Sequence, residues 1–334
     1  MKVYDIVNTI NIMKKIETII FTYNRAIILD AVLESIFKNF YNKSDTINVI
    51  YQLSKKHEES YDILIDKWSD RKVNFIKRKE NINFFTKKYK YFLWPLNFLW
   101  FLRWKIMFQD KGNFKEALEK IIADSENSFI TFVPDDQIFF KETIVPDEAL
   151  NLLEKNHKSF FRFFSGVHFE DHHKLNKKMK VEYFNSKTTN FLSWNLYDKF
   201  AEHSWKYNFT IEGTVYRKKD LEKFLKPFYY HNPITLEAVG LWEARFRGFF
   251  KRGMTSVQRT AAGFQANNVQ KLVVNQCAFY DPDILMKAYL DGYRLIIDKK
   301  DFPDKDFDVI PKEIKLLHPK TREVVSYEKY LSHE

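Results

Sequence analysis

Short apolar runs alternate with amphipathic stretches at the start of the chain. Residues 16–21, 47–53 and 73–76 are rich in β-branched and other apolar side chains, which predicts buried strands. Apolar positions recur at helical spacing over residues 28–40 and 57–68, which predicts an amphipathic helix after each of the first two strands. The order strand, helix, strand, helix, strand predicts a mostly parallel sheet with helices on its faces.

The pattern resumes beyond residue 113 and becomes mixed in the C-terminal half. A helical pattern that starts at Phe114 precedes an apolar strand at 129–133, which runs directly into Pro134-Asp135-Asp136-Gln137. No internal repeat or Pro/Gly-rich linker marks a domain boundary, so we predict an α/β fold whose C-terminal region is mixed α+β. Further predicted elements are a strand at 160–167, helices at 196–205, 219–225, 235–245 and 283–290, and a turn at Glu212-Gly213.

The composition is that of a folded protein in a reducing compartment. The 334 residues are 45% hydrophobic, enough to bury a substantial core, and include one cysteine, Cys277. A single cysteine excludes an internal disulfide framework and a Cys-rich zinc site, which favours a cytoplasmic location. Residues 1–15 form a polar leader without the features of a secretory signal. The most apolar stretch, residues 91–102, is shorter than the roughly 20 residues of a spanning helix, so a transmembrane span is not expected.

Positive charge is concentrated in one segment. The net charge is +10, and residues 71–120 contain 13 Lys and Arg residues against 4 acidic ones. Within this segment, residues 84–108 contain 11 aromatic residues and no acid. Three interpretations remain open, in decreasing order of preference: an apolar core with a solvated basic rim, an element on an anionic membrane surface, and a nucleic-acid surface. A nucleic-acid partner is therefore the least favoured.

Two adjacent acids, Asp135 and Asp136, follow a predicted buried strand, where open α/β sheets bind their ligands. Carboxylate oxygens are hard ligands for a divalent cation such as manganese or magnesium, and such a cation commonly shares its coordination shell with substrate phosphates. A cation would also relieve the repulsion between the two acids. Pro-Asp-Asp is ordinary β-turn chemistry as well, but its position after strand, helix and strand favours the metal-binding interpretation.

Two segments together resemble the inverting glycosyltransferases of the family-2 type, which have the GT-A fold. Residues 16–40 resemble the opening of these enzymes, in which a strand leads into a Thr-Tyr-Asn-Arg loop and a helix with a Leu-x-x-Leu-x-Ser pattern. Residues 127–140 resemble their second motif, a hydrophobic strand that ends in an Asp-x-Asp metal site. The resemblance covers residues 16–145 and implies a GT-A-like, Rossmann-type sheet, mostly parallel and flanked by helices. The matching loop and helix residues are Thr22, Tyr23, Asn24, Arg25, Val32, Leu33 and Ser35.

The resemblance implies that the loop and the acid pair bind a nucleotide diphosphate sugar with the help of a divalent cation. Asp135 and Asp136 would hold the cation, and His231 stands where a third ligand from the C-terminal half would lie. Arg25 would neutralise phosphate charge at the start of the following helix. An ion pair on the protein surface is an equally favoured interpretation of Arg25. The implied donor-binding residues are Thr22, Tyr23, Asn24, Arg25, Gln52, Ser54 and Asp135.

Two departures from the family's pattern affect these roles. Family members often carry an acid after the second strand that reads the nucleotide base, whereas Tyr51-Gln52-Leu53-Ser54 contains none. Gln52 or Ser54 would then hydrogen-bond the base, which leaves the identity of the base open. The metal motif contains two adjacent acids instead of a spaced pair, and Gln137 would occupy one of its positions.

Inverting transfer requires a general base that removes the proton from the acceptor hydroxyl. The family's base is an acid well beyond the metal motif, near the start of a helix that flanks the acceptor cleft. Glu237 fits this description best, and Glu212 is the alternative. A glutamate at such a position is also commonly solvated or part of a helix cap. A solvated loop is the preferred interpretation of a further group with metal-ligand composition, His168, Asp171, His172 and His173.

These inferences combine into one functional hypothesis. The chain would be a glycosyltransferase that moves a sugar from a nucleotide diphosphate sugar to a glycan or lipid-linked glycan, as in surface polysaccharide biosynthesis. Residues 16–145 would form the donor-binding half, with an aromatic and basic insertion at 84–108, and residues 146–334 the acceptor-side half. The protein would work in the cytoplasm or peripherally on the inner face of a membrane. The alternative is a non-catalytic membrane- or glycan-binding protein on the same fold.

Overall fold

The computed structural model describes most of the chain. The described residues are 13–79, 113–156, 158–163, 181–187, 190–199, 203–267, 269, 277–302 and 308–332. The aromatic and basic stretch at 84–108, the histidine group at 168–173 and all but the last three residues of the predicted leader lie outside them.

Helices and strands alternate at the start of the chain and follow a mixed order later. The α-helices of the described residues are α1 (Ala26–Asn39), α2 (Glu58–Trp68), α3 (Phe114–Asp124), α4 (Asp147–Lys155), α5 (Lys218–Leu225), α6 (Pro233–Phe246), α7 (Pro282–Leu290) and α8 (Tyr327–Leu331). The strands are β1 (Ile16–Tyr23), β2 (Lys43–Gln52), β3 (Val73–Lys77), β4 (Phe129–Pro134), β5 (Gln137–Phe139), β6 (Ser159–Arg162), β7 (Val181–Phe184), β8 (Phe191–Asn195), β9 (Thr214–Arg217), β10 (Arg252–Ser256), β11 (Ala261–Phe264), β12 (Arg294–Leu295), β13 (Asp308–Val309), β14 (Lys315–Leu317) and β15 (Val324–Ser326). Within these ranges, no helix is both long enough and apolar enough to cross a bilayer.

A nine-stranded sheet dominates the described part of the chain, with the strand order β3-β2-β1-β4-β9-β6-β10-β8-β7. The first four strands in this order are mutually parallel, and β6 and β10 form a further parallel pair. β9 is inserted antiparallel between β4 and β6, and β8 lies antiparallel between β10 and β7. Seven of these nine strands therefore run in one direction, which confirms the predicted α/β class with a mostly parallel, helix-flanked sheet.

The core lies on both faces of the central strands, because successive side chains of a strand point to opposite faces. In β1, Ile16 and Ile20 pack in the same cluster as the apolar residues of α1 and α2, whereas Ile19 and Phe21 pack in the cluster that contains those of α3. Each fully buried apolar side chain of this size contributes about 1.5–3 kcal/mol. The register of β1 is therefore strongly specified, since a slip of one residue would exchange its two faces.

The carboxyl ends of the parallel strands lie at one edge of the large sheet, and this edge positions most of the predicted site residues. β1 and β4 end side by side, with Phe21 opposite Pro134. β9 runs the other way and therefore begins at this edge, with Thr214 opposite both Phe132 of β4 and Arg162 of β6. The loops after β1 and β4 and the loop before β9 thus meet at one edge.

The predicted helix at 196–205 is wrong. Residues 191–195 form β8 and a turn follows at 196–197, while the remaining described part of this stretch contains a short 3-10 helix, His203–Lys206. The rings of Trp194 and Trp205 lie 4.5 Å apart, and Trp194 Nε1 donates to the carbonyl of Trp205 at 3.0 Å. Burial of aromatic side chains against one another produced an apolar spacing that imitates a helix.

A glycine in α6 sets how closely this helix approaches the loop before β9. A Cβ at Gly240 would lie 2.4 Å from Cδ1 of Phe209, which is buried in an aromatic cluster. We expect Gly240→Ala to destabilise the fold by about 1–3 kcal/mol through overpacking, although alanine is the better helix former by roughly 1 kcal/mol. Urea unfolding measures the change in the free energy of unfolding. Ala238 lies on the exposed side of α6, so Ala238→Gly measures the difference in helix propensity between alanine and glycine without any change in packing. A Gly240→Ala variant more stable than the natural protein would show that this contact does not restrain α6.

Candidate functional site

The loop after β1 and the acid pair after β4 form one buried cluster. Arg25 Nη1 donates to Asp135 Oδ1 and to Asp136 Oδ2, at 2.8 Å in each case. The backbone N–H of Tyr23 donates to Asp135 Oδ2 at 3.2 Å. The side chains of Arg25, Asp135 and Asp136 are 9%, 8% and 12% exposed, so the ion pair is buried and not the surface pair of the alternative interpretation. The two acids also form the turn between β4 and β5. The same two residues therefore make both the β-turn and the charged cluster.

Asn267, which follows β11, holds Arg25 from its other side. Arg25 Nε donates to Asn267 Oδ1 at 2.9 Å, and Arg25 Nη2 donates to the backbone carbonyl of Asn267. Burial lowers the pKa of Arg25, but the carboxylates of Asp135 and Asp136 outweigh this and keep the pKa above its ordinary value. Arg25 therefore stays charged, and two acids with one guanidinium give the cluster a formal charge of −1.

Hydrogen bonds fix the rest of the loop after β1 to β2 and α2. Asn24 adopts the left-handed conformation, with φ of 55°, which asparagine tolerates better than most residues. Ser54 N–H donates to Asn24 Oδ1 at 2.8 Å, and Asn24 Nδ2 donates to Ser54 Oγ at 3.2 Å. The hydroxyl of Tyr61 in α2 pairs with Thr22 Oγ1 at 2.8 Å and accepts from the N–H of Arg25 at 3.3 Å. Four predicted donor-binding residues are thus joined by hydrogen bonds. Asn24 bonds to Ser54, and Thr22 and Arg25 both bond to Tyr61.

The remaining predicted donor-binding residues of the two strand ends are Tyr23 and Gln52. They lie opposite each other in β1 and β2. Tyr23 is 39% exposed and Gln52 is half-buried. Both therefore border the open side of this edge, where a ligand would reach them.

Asp135 and Asp136 have the chemistry of a divalent-cation site. Each turns one carboxylate oxygen toward a common point, which Arg25 Nη1 occupies. Two carboxylates leave coordination positions for the phosphate oxygens of a ligand, as in many magnesium sites. The donor set therefore fits magnesium or manganese once Nη1 moves from between the carboxylates. The structure does not place His231 with them, because the described residues contain no group of three or more His, Cys, Asp or Glu side chains that could hold a metal.

Gln137, the residue after the acid pair, is fully buried at the start of β5. Neither polar atom of its amide has a hydrogen-bond partner among the described residues. An unsatisfied buried polar group costs roughly 1–3 kcal/mol, and such groups call for an explanation such as an ion, a water or a catalytic role. Gln137 therefore adds an unsatisfied buried amide next to the acid pair in the sequence.

The loop before β9 anchors Glu237 at the same edge. Glu237 Oε1 accepts from Ile211 N–H at 3.2 Å and from the hydroxyl of Thr210. The cap of α6 is formed by other residues, since Asn232 Oδ1 accepts from Thr235 N–H at 2.8 Å in a capping box. Glu237 therefore takes no part in the cap, and its carboxylate is bonded within the protein.

The environment of Glu237 suits a proton acceptor. Burial raises the pKa of Glu237, and this outweighs the hydrogen bonds from the loop and the charge of Arg162, which lower it. Arg162 is itself buried, and its Nη2 donates to the carbonyl of Tyr207 at 2.6 Å. Burial lowers the pKa of Arg162, whereas the nearby Glu212 and Glu237 are among the groups that raise it. The two predicted alternatives for the base thus lie near one buried arginine, and a carboxyl group with a raised pKa is suited to general-base catalysis near neutral pH.

Strand register places the loop before β9 at the same sheet edge as the acid pair. Glu212 lies two residues before Thr214, which is opposite Phe132, and Asp135 lies three residues after Phe132. Neighbouring strands are about 4.8 Å apart. The candidate cation ligands thus follow β4, and the loop that leads into the neighbouring β9 contains Glu212 and bonds Glu237.

Sequence reasoning missed three residues that complete these clusters: Tyr61, Arg162 and Asn267. Arg25 and Asn267 are 242 positions apart, and no local pattern connects them. Arg162 has a weak signal, because it interrupts a run of four phenylalanines in the sequence Ser-Phe-Phe-Arg-Phe-Phe. A charge inside such an apolar run requires buried polar partners, which predicts a polar cluster without saying where it lies.

Comparisons with known proteins give similarity in structure and none in sequence. No protein-family model matches the chain, and no curated protein matches it. Similar solved structures include S. aureus TarS, with 14% identity and a TM-score of 0.41 over 72% of this chain and 34% of that chain. TarS 1-349 in complex with UDP-GlcNAc has 14% identity and a TM-score of 0.40 over 73% of this chain and 56% of that chain. The mannosyltransferase PcManGT from Pyrobaculum calidifontis, in complex with GDP-Man and Mn²⁺, has 10% identity and a TM-score of 0.27 over 46% of this chain and 36% of that chain.

Proposed function

We propose that the protein is a glycosyltransferase that moves a sugar from a nucleotide diphosphate sugar to a glycan or lipid-linked glycan, with a divalent cation and with inversion of configuration. One observation carries the proposal: Arg25 of the loop after β1 bridges Asp135 and Asp136 after β4. The resemblance implies that these two motifs act together, and their joining supports this at the edge where open α/β sheets bind their ligands.

The charge of the cluster supports a cation in donor binding. Arg25, Asp135 and Asp136 sum to one negative charge, which would repel a diphosphate at close range. When bound, a divalent cation would reverse the sign of the site and stabilise the negative charge of the departing nucleoside diphosphate. Asp135 and Asp136 are the residues that would hold it.

Glu237 is the residue that we assign to proton removal from the acceptor hydroxyl. The loop before β9 binds Oε1, which orients the carboxylate and leaves Oε2 as the oxygen that would accept the proton. The raised pKa of Glu237 makes it a stronger base than a solvated carboxylate. Glu212, near the same Arg162, is the alternative.

The acceptor and the location belong to the same proposal. Residues 146–334 would supply the acceptor side, because Glu237 and Glu212 come from them. The aromatic and basic stretch at 84–108 remains the candidate for contact with an anionic membrane surface or a lipid-linked acceptor. The protein would then act in the cytoplasm or at the inner face of a membrane.

A screen of nucleotide sugars by thermal shift, with and without manganese, tests the proposal. UDP-, GDP-, ADP- and dTDP-sugars would each be added at saturating concentration, UDP-GlcNAc and GDP-mannose among them. We expect one donor to raise the Tm by a few degrees, and by more with manganese, because a ligand that binds only the folded state stabilises it. The Asp135→Asn/Asp136→Asn variant is the matched control, and its donor shift should not depend on manganese.

The same donor decides between an enzyme and a binding protein. Release of nucleoside diphosphate, followed by chromatography with and without glycan acceptors, would support catalysis. Stabilisation by a donor that is never turned over would favour the non-catalytic alternative. No shift with any donor would contradict a nucleotide-sugar site altogether.

A further inference from the structure

Arg25 occupies the point between the carboxylates where a divalent cation would have to lie. Its Nη1 is 2.8 Å from Asp135 Oδ1 and 2.8 Å from Asp136 Oδ2. The other oxygen of Asp135 already accepts from the N–H of Tyr23. A cation that bridges the two acids therefore competes with the guanidinium for the same oxygens.

The opposite edge of the guanidinium is held independently. Nε and Nη2 of Arg25 donate to the side-chain and backbone oxygens of Asn267, whereas only Nη1 donates to the acids. Because the guanidinium is planar and rigid, Nη1 can leave the carboxylates only if the whole group tilts about the edge that Asn267 holds. Asn267 is 4% exposed, and its Nδ2 has no hydrogen-bond partner in the described part of the chain. This leaves a second buried donor beside Arg25.

We infer that Arg25 is a resident cation of the acid pair, which a divalent cation must displace from Asp135 and Asp136, and that Asn267 keeps the displaced guanidinium at the site. The inference rests on the proposed metal-binding role of the two acids. A displaced Nη1 would face the site with unused hydrogen bonds, and a guanidinium is well suited to phosphate oxygens. Asn267 would thus be a positioning residue for Arg25.

Displacement makes the metal affinity of the free protein low. With Arg25 in place, the cluster has a formal charge of −1, and Nη1 fills the position from which a cation would bridge the two carboxylates. Without Arg25, the same two carboxylates carry a formal charge of −2 and no longer have the guanidinium between them. Affinity for a divalent cation is tuned over several orders of magnitude by the charge and rigidity of its ligands. Removal of Arg25 should therefore tighten metal binding, although it removes a buried ion pair.

The test is the binding of Mn²⁺ alone, measured by the loss of the free Mn²⁺ EPR signal, with no nucleotide sugar present. We expect Arg25→Gln to bind Mn²⁺ at least about tenfold more tightly than the natural protein, since it frees two negatively charged ligands. Adding Asp135→Asn to Arg25→Gln should abolish the gain. Unchanged or weaker binding by folded Arg25→Gln overturns the inference.

Two further variants keep the test decisive. Arg294→Gln is the matched control, because Arg294 Nε lies 3.3 Å from the buried carboxylate of Asp30 in another part of the fold, and its Mn²⁺ affinity should be unchanged. If near-UV circular dichroism shows that Arg25→Gln does not fold, Arg25→Lys replaces it. Lysine keeps the charge but loses the planar contacts to Asn267, so Mn²⁺ should bind more tightly than in the natural protein. Natural affinity in folded Arg25→Lys would then overturn the inference.

The outcome is separable from that of the proposed function. Tighter Mn²⁺ binding by Arg25→Gln without stabilisation by any nucleotide sugar would leave the displacement intact and remove the glycosyltransferase. Donor stabilisation that does not depend on Arg25 or manganese would remove the displacement and leave the nucleotide-sugar site intact.

Discussion

Replacing Glu237 with glutamine should abolish sugar transfer, leave donor binding intact and raise the stability of the fold near neutral pH. Glutamine retains an oxygen that accepts from Thr210 and Ile211, so the carboxamide keeps the position of the carboxylate. It has no basic oxygen to take the acceptor proton. Loss of a general base typically costs about 10²–10⁴-fold in rate, and the affinity for donor should change little because the proposed donor site is built on Arg25 and the acid pair.

The stability effect has a defined pH dependence. Because burial raises the pKa of Glu237, the folded state binds a proton more tightly than the unfolded chain does. Between the unfolded pKa and the higher folded pKa, stability therefore falls as pH rises. Below the unfolded pKa both states are protonated, and this penalty is absent. The stability difference between Glu237→Gln and the natural protein should accordingly grow in favour of the variant as pH rises above the unfolded pKa of about 4.3.

Urea unfolding at several pH values and an acceptor-dependent transfer assay measure the two effects. Glu243→Gln is the matched control, since Glu243 lies on the same helix and pairs with Arg247 at 3.8 Å. It should transfer sugar normally. Normal turnover by Glu237→Gln would remove Glu237 as the base and leave Glu212→Gln as the next variant to examine.

The N-terminal part of the fold could be predicted from the sequence because its information is local. The apolar run at 16–21 lies within β1 and the helical spacing at 28–40 largely matches α1. Strands buried on both faces are continuous apolar runs, and helices that cover them have one apolar stripe. These patterns arise within a few residues of one another, so periodicity alone identifies them.

The order of the strands in the C-terminal half could not be predicted in this way. β9 lies between β4 and β6 although β7 and β8 come before it in the chain. Short strands such as β5, with three residues, have too few positions for a period to show. Their places are decided by long-range pairing, which leaves no mark on local spacing.

The candidate site was predictable in its acids and not in what holds them. A strand followed by two acids has a recognisable sequence, and the prediction that Asp135 and Asp136 lie at the strand end is confirmed by the structure. The bonds from Arg25 to Asn267 join positions 242 residues apart. Such a contact depends on β11 pairing with β5, and nothing in the sequence near Asn267 distinguishes it from the other asparagines of the chain.

Replacing Asp135 and Asp136 together should have the largest effect of any change at the site. Asparagine at both positions retains an oxygen that accepts from Arg25 but removes both negative charges. We expect metal-dependent transfer and donor hydrolysis to fall by about 10³-fold or more, since a bound metal supplies several kcal/mol of transition-state stabilisation. Alanine at both positions should also destabilise the fold by about 3–5 kcal/mol, because it leaves a buried arginine without its charge partners.

Turnover at several manganese concentrations and urea unfolding separate these two consequences. Asp30→Asn is the matched control: Asp30 is buried, accepts from Trp68 Nε1 at 2.8 Å and pairs with Lys67 at 2.7 Å. It should lose stability and retain manganese-dependent turnover, because it belongs to α1 and not to the sheet edge. If the double asparagine variant kept full activity, Asp135 and Asp136 would be no more than buried partners of Arg25. The assignment of a catalytic cation to these two acids would then fail.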